Sequence, residues 1–172
     1  MAIVVGLILV VVLGGYVVAA ALSEPVGPAV GIPGVVSVRP LSCWAFAGRG
    51  SFEGFTYVGV TRGSGNLVAG VASGTSDAAG LAQAYVRVIL SSQMNQLSVS
   101  RSEEIQLDAG ARGLRFGYVG VIAETGASVE GEVSVVVTPN GRDVVFDGWA
   151  PAGLLSFVRS DIRTMVERAE VT

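Results

Sequence analysis

Residues 128–150 read SVEGEVSVVVTPNGRDVVFDGWA, and the fold follows from this stretch. Side chains alternate across a strand, so Val129, Val133, Val135 and Val137 share one face while Glu130, Glu132 and Ser134 share the other. Asn140-Gly141 is the strongest short-range hairpin signal, and it returns the chain as DVVFDGWA, residues 143–150. The pattern predicts an antiparallel pair with one apolar and one solvated face. Asp143 and Asp147 are expected to face water or an arginine.

Working outward, RGLRFGYVGVIAE (112–124) supplies a third long strand. FTYVGVT (55–61) and NLVAGVA (66–72), joined by RGSGN, form a further hairpin. In DAAGLAQAYVRVIL (77–90), Ala78, Leu81, Ala82, Tyr85 and Ile89 recur at helical spacing, with Ser76 or Asp77 as the cap. Residues 97–107 read as a short strand region. The segment PAGLLSFVRSDIRTMVERAEV carries Leu154, Leu155, Val158, Ile162, Met165, Val166 and Ala169 on one stripe. Pro151 suits its first turn, and Arg163 and Glu167 form an i,i+4 pair. The expected class is α+β, an antiparallel sheet with two packed amphipathic helices.

At the other end of the chain, residues 2–22 carry no charged side chain. As a helix this run rises about 31 Å, enough for a hydrocarbon core of about 30 Å. Two readings compete: a retained signal anchor, and a signal peptide cleaved near Ala19 and Ala21. The missing positive n-region and the length of the run favour the anchor. The partition is then a transmembrane helix over 1–22, a Pro/Gly-rich linker over 23–37, and one domain over 38–172. A single apolar segment ahead of a folded domain places that domain on the extracytoplasmic side of a cell membrane. Gly14, Gly15 and Ala19 offer a small-residue face for packing against another membrane helix.

Composition excludes several chemistries. The chain of 172 residues has 11 basic side chains, all arginine, against 14 acidic ones, and no histidine. Ser–His–Asp and Cys–His catalysis, Schiff-base lysines and P-loop lysines are absent from it. The net charge of −3 argues against a nucleic-acid partner. No metal site and no cofactor are expected. Cys43 is the one cysteine, so it has no disulfide partner within the chain, and it is expected half-buried beside Trp44. Glu130 with Glu132 is the leading carboxylate pair for acid–base work, and Glu103, Glu104 and Asp108 form a second acidic group. Solvated surface is the simpler reading of both. Gly63 and Gly65 read as turn residues. Trp44, Phe116, Tyr118 and Trp149 are the candidate ligand or partner surface.

The order of these elements, with patches such as Pro40 to Trp44, Gly113 to Tyr118 and Gly148 to Pro151, resembles the PsbP-like superfamily, most of all its exported LpqN-type lipoproteins. The resemblance spans residues 36 to 171. It implies an α/β/α sandwich that acts by binding, without catalysis, often as an accessory to a larger assembly. The lipidated cysteine of the lipoproteins has no counterpart here, and the apolar run stands in its place. Histidines that hold metal in photosystem relatives have none either. Three functions follow as expectations. The first is a single-pass accessory subunit of a bacterial membrane complex, partnered by other integral membrane proteins. The second is an anchored module for a lipid or small apolar ligand between sheet and helix. The third is a carboxylate-dependent hydrolase.

Overall fold

The computed structural model describes residues 27–52, 55–73, 77–138 and 140–172. The predicted hairpin lies at its centre. Strands β9 (Ser128–Val137) and β10 (Arg142–Pro151) pair antiparallel, with Val133 opposite Asp147 and Val136 opposite Val144. On one side of them come β5 (Gly65–Ser73), β4 (Phe55–Arg62) and β3 (Ala45–Phe52). On the other side, β8 (Arg112–Ile122) pairs β9. The far edge of β8 is shared by β6 (Met94–Val99) and β7 (Glu103–Gln106). Every pairing in this eight-stranded sheet is antiparallel.

Both faces of the sheet are covered. Helix α1 (Ala78–Tyr85) begins at Asp77, whose carboxylate accepts from the Gly80 N–H at 2.6 Å. It runs on through a π-helical segment, Val86–Leu90. Leu81, Ala82, Tyr85 and Leu90 pack there on Val133, Val135, Phe116 and Val145. The opposite face carries α2 (Arg159–Glu167) and a small sheet of β1 (Val30–Ile32), β2 (Val36–Val38) and β11 (Glu170–Val171). Its core joins Val36, Val38, Leu67, Phe146, Ile162 and Met165. Each such side chain contributes about 1.5–3 kcal/mol on burial. The result is an α/β/α sandwich in the α+β class.

Several expectations differ from the structure. The spacer expected over 23–37 is structured from residue 30 onward, because Val35, Val36 and Val38 have apolar partners in the core and β1 pairs with β2 as a hairpin. Pro151 closes β10 instead of opening the helix; Leu155–Phe157 forms a 3-10 turn before α2 starts at Arg159. Strand β3, AFAGRGSF, carries two glycines and an arginine and shows no apolar run, yet it forms the sheet edge. Cys43 is exposed, in a left-handed turn conformation (φ 69°), not half-buried. The apolar run 2–22, with Gly14, Gly15 and Ala19, lies outside the described residues. Among the described residues no helix is long and apolar enough to cross a membrane.

The face read as solvated is a covered ion-pair layer. Glu132 and Ser134 are buried, and Glu132 meets Arg163 from α2 at 2.8 Å and Arg115 from β8 at 3.5 Å. The Glu132 carboxylate holds the Arg163 guanidinium above its ordinary pKa, chiefly by hydrogen bonding. Arg115 also reaches Ser134 and Glu167. Arg163 and Glu167 thus turn to separate partners on the sheet rather than to each other. Glu130, half-buried, accepts from the backbone N–H groups of Gly153 and Leu155, both at 2.9 Å, and so fixes the approach to α2.

Candidate functional site

Beneath α1 the second face of the sheet leaves a cavity of about 50 Å³. Six aromatic side chains line it: Phe52 from β3, Phe55 and Tyr57 from β4, Tyr85 from α1, Tyr118 from β8 and Trp149 from β10. Their convergence follows from strand alternation and pairing. Phe52 stands opposite Phe55 across β3–β4. Along β10, Val145, Asp147 and Trp149 share one face. Two strand glycines make room for the rings. Tyr118 lies over Gly131, its cross-strand neighbour, and Phe55 lies over Gly70; a Cβ at either glycine would overlap the ring. Phe55 and Tyr85 meet at 6.0 Å between ring centres, tilted by 54°. Ile89 and Leu90 of the π-helical segment close one wall. Single π turns inside helices recur at functional sites.

The polar centre of this wall is Asp147. It is 6% exposed, and its two carboxylate oxygens each accept from a tyrosine: Tyr85 at 2.8 Å and Tyr118 at 3.0 Å. Burial raises the Asp147 carboxyl and the two phenol hydrogen bonds pull it part of the way back, which leaves it at about 6. Burial, with the nearby carboxylate adding to it, lifts both phenols well above their ordinary range. The residues lining the cavity include no arginine. Asp147 therefore faces phenols, where water or an arginine was expected.

The four aromatic residues proposed as one surface are divided by the sheet. Tyr118 and Trp149 line the cavity. Phe116 packs in the same core but lies outside the lining. Trp44 belongs to the opposite core, where its indole N–H donates to Asp161 at 3.0 Å. Glu130 and Glu132 are held by backbone amides and arginines on that opposite face, so they do not converge on an open cleft. Glu103 is exposed and lies 3.9 Å from Arg115. No group of three potential metal-ligating side chains exists among the described residues. Gly63, with φ of 57°, is the turn residue expected between β4 and β5. Sequence reasoning missed Phe52, Phe55, Tyr57, Tyr85 and Asp147 as site residues. The available signal was an acidic residue between Val145 and Trp149 on the apolar face of β10, with glycines opposite aromatic residues on neighbouring strands.

No family model matches the sequence, and no curated protein matches it. Solved structures do. Cyanobacterial PsbP (CyanoP) from Synechocystis aligns with a TM-score of 0.63 at 14% identity, covering 91% of this chain and 99% of its own. A point mutant of Mog1 aligns at 0.55 and 12% identity, covering 84% and 95%. LpqN of Mycobacterium tuberculosis, described as involved in cell envelope biogenesis, aligns at 0.54 and 14%, covering 87% and 92%. The chain has the PsbP-like fold, shared with LpqN-type proteins. Identities this low speak to fold alone.

Proposed function

We propose that this PsbP-like domain is a non-catalytic binding module, tethered at the extracytoplasmic face of a membrane, that takes a small ligand in the cavity under α1. The observation that carries this reading is the cavity itself: six aromatic rings around one buried carboxylate. Sites of this kind are mostly apolar with a few placed polar groups. Its volume of about 50 Å³ suits a small ligand or one end of a larger one. The tethered, extracytoplasmic placement draws on the charge-free run 2–22 and on the likeness to LpqN.

The two tryptophans make a direct test. Trp149 lines the cavity, whereas Trp44 sits behind the sheet. In a nuclear magnetic resonance screen of small fragments against the isotope-labelled full chain in nonionic detergent, binders are expected to move the Trp149 indole signal and leave that of Trp44 in place. No displacement of the Trp149 signal by any fragment overturns the reading.

An accessory role in a larger membrane assembly is a second reading. Leu154 and Phe157, 40% and 77% exposed on the turn before α2, favour it as an uncovered apolar pair. A tagged full chain, purified in mild detergent at native expression, is expected to bring integral membrane proteins with it. Recovery of the monomer alone counts against this second role.

A further inference from the structure

Two of the carboxylates that the sheet buries, Glu132 and Asp147, lie on opposite faces of adjacent strands. Glu132 on β9 has Arg115 and Arg163 as counter-charges. Asp147 on β10 has two phenols and no arginine among the residues that line its cavity. The chain contains neither lysine nor histidine that could take that place. A buried carboxylate without a counter-charge is costly, and the usual remedy is a cation or a proton. Each Asp147 oxygen accepts one tyrosine hydrogen and keeps further acceptor capacity.

The surroundings select the kind of cation. Phe52, Phe55, Tyr57, Tyr85, Tyr118 and Trp149 offer ring faces and edges around the carboxylate. Faces of aromatic rings attract ammonium groups, more strongly when water is excluded. A hard metal ion needs six or more oxygen ligands, or keeps several waters; one carboxylate and phenols among apolar walls do not supply that set. We infer that the cavity binds a small alkylammonium ion, its charged nitrogen set against Asp147 and its hydrocarbon part against the aromatic and aliphatic walls. This inference rests on the ligand-binding reading of the same cavity and deepens it by naming the ligand's chemistry.

The titratable groups facing Asp147 from the packed elements are Tyr85 on α1, Tyr118 on β8 and Tyr57 on β4. Burial raises all three phenols, so they stay neutral between pH 5 and 8. Asp147 then governs the pH dependence. Its carboxyl titrates at about 6 in the empty protein, so the ammonium competes with a proton there. A proton bound at pH 5 weakens the ligand about tenfold relative to pH 7.5.

The experiment compares isobutylammonium with isobutanol, equal in shape and size but differing in charge. Both are titrated into the full chain in nonionic detergent, with the Trp149 indole signal as readout and sodium chloride holding ionic strength constant. The expected result at pH 7.5 is a preference of at least tenfold for the ammonium. That preference shrinks about tenfold at pH 5 and disappears in Asp147→Asn. The wild-type pH profile stands independently should that variant not fold. Equal binding of alcohol and ammonium at pH 7.5 overturns the cation assignment while leaving a ligand pocket in place. Movement of the Trp149 signal by neither compound, nor by any other fragment, removes the pocket reading as well.

Discussion

Tyr85 and Tyr118, from a helix and a strand on separate parts of the chain, donate to opposite oxygens of one buried carboxylate, Asp147. The two phenols therefore join α1 to the sheet through a shared acceptor. Loss of either donor leaves the carboxylate half-supported in an apolar site. Tyr85→Phe and Tyr118→Phe are each expected to cost about 1.5–3 kcal/mol at pH 7, the range for hydrogen bonds to charged groups. Because these bonds lower the Asp147 pKa, each variant raises it further above 6. Carboxyl-carbon titration by nuclear magnetic resonance reads this directly, and an unchanged midpoint in both variants contradicts the geometry.

The same carboxyl sets a stability profile with an unusual sign. Asp147 releases its proton near 3.8 when unfolded and at about 6 when folded. Between these values the folded state holds more protons, so stability falls as pH rises and then levels off above pH 6. The total is roughly 3 kcal/mol at about 1.4 kcal/mol per pH unit. Asp147→Asn removes the proton site. Urea titrations at pH 4 and pH 7 are expected to show the variant gaining roughly 2–3 kcal/mol on the wild type between them. A parallel profile for the two proteins refutes the assignment.

Glycine at 131 is a packing requirement. A Cβ there overlaps the Tyr118 ring, so Gly131→Ala must displace a wall of the cavity. Overpacking of this kind costs about 1–3 kcal/mol. Gly117 in β8 is the control, because a Cβ there meets its nearest atoms at 3.6 Å, an ordinary contact. Gly117→Ala is expected to stay within about 0.5 kcal/mol of wild type. Thermal unfolding of the two variants separates the sites, and equal losses would show that Tyr118 does not need this space.

On the opposite face, removal of Glu132 leaves Arg115, 7% exposed at its side chain, short of its buried counter-charge. Glu132→Ala is expected to cost about 3–5 kcal/mol, as for a broken buried pair. Arg62 also pairs with an acid, Asp161, but its side chain is 43% exposed and Asp161 keeps the Trp44 indole. Arg62→Ala is expected to cost less than about 1 kcal/mol. Chemical denaturation of both variants checks the contrast.

The central hairpin was legible because Asn140-Gly141 and the valine alternation are local signals. So was α1, since Asp77 and the apolar spacing lie within one short segment. The polar face of β9 was misread for the converse reason. Glu130 and Glu132 look solvated when their strand is taken alone; Arg115, Arg163 and the 153–155 backbone that cover them come from elsewhere in the chain. Strand β3 hid behind glycines whose role depends on neighbouring rings, as Tyr57 over Gly50 shows. The cavity needed seven strands and a helix in register, so Trp44 and Phe116 could be grouped with Trp149 although only Trp149 and Tyr118 reach it. Asp147 gave the plainest overlooked cue, an acid on the apolar parity of its strand.

The small sheet has a mechanical consequence. Val30 pairs with Val38 and Ile32 with Val36, while β2 is held from its other side by β11, and the Thr172 N–H bonds to the Val35 carbonyl at 3.0 Å. A pull entering at residue 27 therefore loads β1 in the geometry of a zipper, with ladder bonds opening one after another from the Val30 end. Residues 27–35 would pay out roughly 30 Å of extended chain before tension reached β2. Val30 and Ile32 also pack on the core beneath the eight-stranded sheet, and Arg142 of β10 donates to the Gly34 carbonyl at 2.7 Å, so these contacts part as the hairpin opens. The hairpin is a length of slack, folded away where the chain enters the domain.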